Sequence, residues 1–453
     1  MGGRRAVQRV APALSAPVEV TAMTHDGRGI ASLDGKRVFI HGALPGETVS
    51  FQVTQRTRTY DEAEVVEVLT PAPERVEPRC AAYARCGGCS LQHMDPAAQI
   101  LAKQQVLLDN LRHIGQVIPE RVLPPLTGPV WCYRRKARLG VRRVRARNRV
   151  LIGFRERRSA FIAETTRCEV LDESVGGQLE QLAALIGELG IADHVPQIEV
   201  AVTDALTVLV LRVMAAPSAA DLAALRAFGL AHRIQFWLQS KGPDSAAPIP
   251  GAFAADQVLA YELPDDDLAM HFQPHDFTQV NETMNRRMVA HAMALLDPAP
   301  DERLLDLFCG LGNFTLPMAR RAREVVGVEG AADLVAQARA NAKRNGLTQA
   351  RFVMADLYAA AFDPPPWGAG AFDGVLLDPP RSGARAVLPA VAVTGARRVV
   401  YVSCHPATLA RDAGDLVRLH GFRLETAGVM DMFPHTGHVE SVALFVREDG
   451  RGA

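Results

Sequence analysis

Between residues 303 and 403 the chain repeats one pattern: a short continuous apolar run, a turn, and a stretch with helical character. The runs lie at 304–308, 324–328, 351–354, 372–377 and 398–402. Continuous rather than alternating apolar runs belong to strands buried on both faces, so the pattern predicts a parallel sheet covered by helices on either side. Such a sheet binds ligands at the carboxyl ends of its strands. The residues that follow each run are therefore the ones to read for chemistry.

Gly310 and Gly312 follow the first run and let the backbone approach a ligand closely, although position 315 is Thr where a dinucleotide fingerprint wants a third glycine. Glu329 ends the second run, placed to accept hydrogen bonds from ribose hydroxyls, and Asp356 follows the third, suited to an adenine edge. Three such groups after three successive strands predict a nucleoside pocket. The lack of a phosphate-gripping lysine favours S-adenosylmethionine over NAD. The fourth run delivers Asp378 at its tip and stops on Pro379 and Pro380; Arg381 stands where amine-methylating enzymes with a related motif carry a stacking aromatic, which argues against exocyclic amine chemistry.

The fifth run ends in Ser403-Cys404-His405-Pro406, and Pro406 with the Ala/Leu/Arg stretch after it reads as a helix start. A cysteine at a strand-to-helix turn is open on one side and sits beside helix amides, which are expected to lower its pKa from ~8.5 and make a nucleophile. His405 is expected to orient the turn.

A chain of 453 residues exceeds one core and predicts roughly three domains. Residues 1 to about 14 read as a disordered basic leader. Five short runs between residues 18 and 69, broken by Asp34-Gly35 and Pro45-Gly46, predict a small β-barrel over 14–70, and Arg56, Arg58 and Tyr60 suit it to nucleic acid. After a proline-rich linker at 70–79 come Cys80, Cys86 and Cys89, three of the seven cysteines, with Gly87 and Gly88 between the last two. Three thiolates able to face one centre predict a metal site whose fourth ligand is Cys168, Cys132 or His93, and the spacing alone leaves zinc and an iron–sulphur cluster both open. Residues 95–115 read as an amphipathic helix. From Arg134 to Arg158 twelve Lys/Arg face a single acid, Glu156, although the formal net charge is +0. So one-signed a block repels itself unless an anion offsets it, and phosphate backbone is the expected anion. Residues 170–270 read as an α/β domain with no catalytic constellation. No apolar run reaches membrane-spanning length and no signal-peptide pattern opens the chain, so a cytoplasmic protein without membrane contact is expected.

Taken together, Phe277-Thr-Gln279-Val-Asn281, Asp306-Leu-Phe-Cys-Gly-Leu-Gly-Asn313, Asp378-Pro-Pro-Arg381, Ser403-Cys404-His-Pro and His438-Val-Glu440 resemble the RNA 5-methyluridine methyltransferases over nearly the whole chain. The resemblance implies a multidomain α/β protein: a TRAM-like, OB-like barrel at 14–70, a central α/β domain at 71–272 with a four-iron four-sulphur cluster and the basic block, and a Rossmann-like S-adenosylmethionine-dependent methyltransferase domain at 273–453. It implies Cys80, Cys86, Cys89 and Cys168 as cluster ligands, demoting zinc and Cys132. It further implies Gln279, Phe308, Asn313, Glu329, Asp356 and Asp378 as contacts to the methyl donor, Cys404 as nucleophile and Glu440 as base. Within the family, the branch acting on 23S ribosomal RNA combines barrel and cluster, so that RNA is the implied partner of a monomeric enzyme.

The chemistry is sound independently of the resemblance. Carbon 5 of uracil is too poor a nucleophile to take a methyl group directly; a thiolate on carbon 6 makes it an enolate carbon. A carboxylate then removes the carbon 5 proton. Stacked RNA hides carbon 6, so the uridine must be unpaired or flipped out. Two other readings compete: RNA cytosine-C5 methylation, whose enzymes usually carry a second cysteine where Arg381 stands, and a non-enzymatic RNA-binding or assembly role.

Overall fold

The computed structural model of the chain describes residues 14–24, 26–251, 253, 258–359 and 365–447. The expected basic leader lies outside them except for Leu14.

The N-terminal run that reads as one strand is two, Val18–Glu19 and Ala22–Met23, so the first sheet has six strands rather than five. The break lets one short segment pair on one side with Thr48–Arg56 and on the other with Gly29–Leu33. That double pairing closes the sheet on itself and removes its open edges. Asp34 and Gly35, both at positive φ (51° and 78°), make the two-residue hairpin turn between Gly29–Leu33 and Lys36–His41. Val20, Val38, Ile40, Val49 and Phe51 fill the interior. At the rim, fully buried Glu47 accepts from the Leu44 amide at 2.8 Å and from Arg75 Nη2 at 2.8 Å, which ties the linker to the barrel.

The basic hairpin, Lys136–Val144 and Arg149–Gly153, forms one side of a six-stranded mixed sheet with Gln197–Val202, Thr207–Arg212, Ile234–Gln239 and Ala247–Pro248. Helices Leu179–Glu188 and Ala219–His232 contribute Leu182, Ile186 and Leu225 to its core. Part of the charge expected to await phosphate is offset within this domain: Arg138 pairs with Glu199, Arg145 with Asp193, and Arg147 and Arg149 share Glu164. These acids lie 15 to 61 residues away from their partners, beyond the reach of a local charge count.

The C-terminal sheet has eight strands in the order Ala350–Met354, Glu324–Glu329, Arg303–Leu307, Gly374–Leu377, Arg398–Ser403, Glu440–Val446, Arg423–Met430, Arg121–Val122. The first five are parallel, and Glu440–Val446 runs antiparallel to both neighbours. The chain moves outward from Arg303–Leu307 in one direction and then in the other, so the strand order reverses between Arg303–Leu307 and Gly374–Leu377. That reversal opens a ligand crevice at the carboxyl edge. Two apolar layers sandwich the sheet. Helix Pro96–Asn110, started by Asp95 capping the Ala97 amide at 2.9 Å, buries Ile100 and Leu107 in one of those layers. The segment from 96 to 122 thus packs on the C-terminal sheet.

Candidate active site

Register fixes which residues meet at the carboxyl edge. Leu307 pairs with Val328 and with Leu377, so Phe308 emerges between Glu329 and Asp378. Glu329 pairs with Met354, two residues before Asp356. Ser403 pairs with Ser441 in an antiparallel ladder, so the next residues outward, Cys404 and Glu440, face each other, and Ser441 Oγ donates to the Ser403 carbonyl at 3.0 Å. Neighbouring strands are ~4.8 Å apart. The edge therefore reads Asp356, Glu329, Phe308, Asp378, Cys404, Glu440 across six strands.

The first half of this edge is stitched by its own backbone. Glu329 Oε2 accepts from the Gly310 amide at 3.1 Å and Oε1 from the Ala331 amide at 3.0 Å; Asp356 Oδ1 accepts from the Tyr358 amide at 2.9 Å. Phe308 holds φ at 66°, an uncommon left-handed backbone for a bulky side chain, and Gly310 and Gly312 follow at 54° and 95°. Its ring lies 5.8 Å from that of Tyr358. Asn313 is fixed by Tyr261, whose hydroxyl donates to Oδ1 at 2.7 Å, and by reciprocal amide bonds with Asn285. Gln279 lines a small cavity with Tyr261 and Asn285, which brings it to the same cluster. Beneath, buried Asp306 accepts from Thr315 Oγ1 at 2.5 Å; burial, with Asp378 and Glu329 nearby, pushes its carboxyl up to about 8.

The second half is an interacting group of acids. Burial raises the Asp378 carboxyl to about 7, and burial together with Asp378 raises Glu440 to about 8, opposed by Arg381. Cys404 is half-buried, and its thiol is pushed up to about 11 by burial, then by Glu440 and Asp378, again opposed by Arg381. This direction is opposite to the lowering expected from helix amides. Helix Pro406–His420 does begin there, with His405 as N-cap through its ring, and burial first, then the two carboxylates, act against its partial charge. Above these groups lies a cleft of about 650 Å³ bounded by Cys404, Arg134, Phe154, Arg381, Phe433 and His438, with Gly88 and Cys89 of the cysteine loop on another wall. The cleft meets the carboxyl edge of the sheet at Cys404.

The family model for tRNA (Uracil-5-)-methyltransferases matches residues 254–363 and 368–448, and the TRAM domain model matches 16–66. The 23S rRNA (uracil(1939)-C(5))-methyltransferase RlmD of Alkalilimnicola ehrlichii is 54% identical over 99% of both chains, and that of Thiobacillus denitrificans 51% identical over 95% of this chain and 99% of its own. This chain belongs to the RNA uracil-C5 methyltransferase family. Its fold is shared with the Pyrococcus abyssi tRNA (uracil-54, C5)-methyltransferase in complex with S-adenosyl-L-homocysteine, at TM-score 0.72 and 23% identity, over 95% of this chain and 100% of that one. The small barrel is thus a TRAM domain, and the eight-stranded sheet is that of an S-adenosylmethionine-dependent uracil-C5 methyltransferase.

For this family member the cysteine set is a separate question. Cys80, Cys89 and Cys168 gather in one apolar cluster with Tyr83 and Tyr133, and Cys86 lies within electrostatic reach of them; burial, first, raises Cys89 to about 12 and Cys168 to about 11. Cys132 stands apart, its thiol donating to Glu173. Among the described residues no three potential ligands converge tightly enough to hold a single metal ion. Four soft thiols are a donor set suited to zinc or to an iron–sulphur cluster. Sequence reading took His438 only as part of the His438-Val-Glu440 motif and missed the segment 431–437, which supplies Phe433 to the cleft; a Pro-Gly-His-rich stretch between two apolar strands was the available signal.

Proposed function

We propose that the protein transfers a methyl group from S-adenosylmethionine to carbon 5 of a uridine in 23S ribosomal RNA, at the position named for its relatives, uracil 1939. The observation that carries the reading is the register that sets Cys404 opposite Glu440, with Asp378 at the tip of the strand beside Arg398–Ser403. Gln279, Phe308, Asn313, Glu329, Asp356 and Asp378 hold the donor, which supplies an electrophilic methyl group on a sulphonium. Cys404 reacts as its thiolate, its proton released to solvent so that Glu440 stays ionised, and its sulphur bonds to carbon 6 of the flipped uracil. The ring becomes an enolate whose carbon 5 takes the methyl as the sulphonium–methyl bond breaks, leaving S-adenosylhomocysteine. Glu440 takes the carbon 5 proton, the carbon 5–carbon 6 double bond reforms, and the sulphur–carbon 6 bond breaks to release Cys404. Arg381, with Nη2 3.1 Å from His438 Nδ1, offsets negative charge beside both groups.

Cys80, Cys86, Cys89 and Cys168 would hold a four-iron four-sulphur cluster, which when bound would cross-link two distant segments as thiolate-held metal. We divide the labour as TRAM domain at 14–70 and central domain at 71–272 gripping RNA, and 273–453 performing transfer. No described helix is long and apolar enough to cross a membrane; we further propose a cytoplasmic monomer. The deciding experiment is nucleoside mass analysis of unmodified 23S ribosomal RNA and bulk transfer RNA after incubation with protein and donor. New 5-methyluridine in the ribosomal RNA alone is expected; 5-methylcytidine, or methylation of transfer RNA only, overturns the assignment.

A further inference from the structure

The turn that precedes Glu440 does not hold itself. His435, at φ 63°, occupies a left-handed backbone that persists only where surroundings over-determine it. Those surroundings come from three segments more than 300 residues away in sequence. Gln99, fully buried on helix Pro96–Asn110, accepts the His435 amide on Oε1 at 2.8 Å, while its Nε2 donates to the carbonyls of Leu91 (2.9 Å) and Met94 (2.8 Å) and lies 3.1 Å from His435 Nδ1. One turn along the same helix face, Lys103 donates to Asp431 Oδ1 at 2.8 Å and to the Phe433 carbonyl at 2.9 Å. From the cysteine loop, the Ser90 and Leu91 amides both donate to the His435 carbonyl, at 2.8 and 3.0 Å, and Ser90 Oγ accepts the Gly437 amide at 3.1 Å. Trp131 stacks on the His435 ring with centroids 3.9 Å apart.

We infer that Gln99 and Lys103 are positioning residues that clamp the 431–437 turn to the cysteine loop, and that the wall of the uridine cleft formed by Phe433 and His438 takes its catalytic shape only when both are docked. Neither side chain lines the cleft or the donor edge. Both act through the turn, and the effect belongs to turnover rather than to binding of donor.

The inference rests on methyl transfer at Cys404 and Glu440. Its test is Gln99→Glu in the full-length, anaerobically purified protein: nearly isosteric, it keeps an oxygen for the His435 amide and loses the donor to Leu91, Met94 and His435. Because displacement of a reacting group by ~1 Å costs up to ~10²-fold, kcat on 23S ribosomal RNA is expected to fall roughly 10- to 100-fold, with donor affinity and iron content per chain unchanged. Ser90→Ala, which removes the hydroxyl that accepts the Gly437 amide on the cleft wall, is expected to lower kcat a few-fold and keeps the test open if Gln99→Glu does not fold. Unchanged kcat in both variants overturns the clamp; so does a loss of kcat matched by equal loss of iron or of donor binding. A wild-type protein that methylates nothing would instead sink the functional reading, so the two failures are distinguishable.

Discussion

Replacing Glu440 with Gln separates the two halves of the proposed reaction. The side chain keeps its volume in a site where it is 4% exposed, and loses the ability to accept a proton. With the carboxyl at about 8, roughly a quarter of the Glu440 population is ionised at about pH 7.5. A positioned base contributes ~10² to ~10⁴ in rate. Scaled by that ionised fraction, turnover should drop roughly 25- to 2,500-fold at about pH 7.5, and the gap should widen about fourfold by about pH 9, where the native base is almost fully ionised. Addition of sulphur to carbon 6 follows the opposite trend. The Glu440 charge is one of the causes that raise the Cys404 thiol, so its removal favours thiolate. The variant should therefore form the covalent protein–RNA species readily and release it slowly. With donor labelled in its methyl group, a denaturing gel should show a protein–RNA band that carries the label. Turnover within tenfold of wild type and no such band, in a variant that still binds donor, would refute the assignment of Glu440 as base.

Cys404→Ala should abolish methylation while leaving binding of a 23S fragment within about threefold by filter retention; retained methylation would remove the covalent route. Since Cys404 and Glu440 both act deprotonated and are raised to about 11 and about 8, kcat/KM should climb from about pH 6 to about pH 9, and a profile that falls over this range would contradict the roles given. Asp306 and Asp378 have folded pKa values raised to about 8 and about 7, above those of the unfolded chain; the stability they contribute is complete below the ordinary carboxylate range and is lost as pH rises through those values. Donor-free protein should accordingly melt lower at about pH 8.5 than at about pH 6, and Asp306→Asn should flatten the difference, both read by calorimetry. Anaerobic purification should give brown protein with about four iron and four sulphide per chain, and Cys168→Ser should lose the colour; colourless protein with one zinc would exclude the cluster.

Much of the carboxyl edge was legible because parallel strands buried on both faces appear as unbroken apolar runs, and each run advertises the residue at its tip. Glu329, Asp356, Asp378 and Cys404 all follow from that rule. Gln279 and Glu440 do not: they entered through resemblance, since the pairing of Ser403 with Ser441 is a register that no local pattern encodes. The Cys404 thiol shifts against the sequence expectation because a helix start is visible in sequence, whereas the burial that is the first cause and the carboxylates that come from two other strands are not. In the basic block, the acids that offset part of the charge lie in distant segments that a local charge count does not reach. Docking of the 96–122 segment onto the C-terminal sheet was likewise invisible, because an apolar helix face does not name its partner.

The antiparallel strand Glu440–Val446 explains why one sheet edge can hold both halves of the reaction. A parallel strand offers this edge its last residue, followed by a turn that leads back across the sheet, as Asp378 and Cys404 do. An antiparallel strand arrives from the opposite direction and offers its first residue, so the segment before it must lie over the edge. Glu440 is that first residue, and 431–438 is that segment. A carboxylate on the same face as Cys404 and an aromatic wall above it therefore come from one reversal of strand direction. Because side chains alternate with period two, a slip of one residue in this strand would turn Glu440 away from Cys404 and carry the wall with it. The buried bonds from Gln99, Lys103 and Ser90 fall on the segment where such a slip would begin.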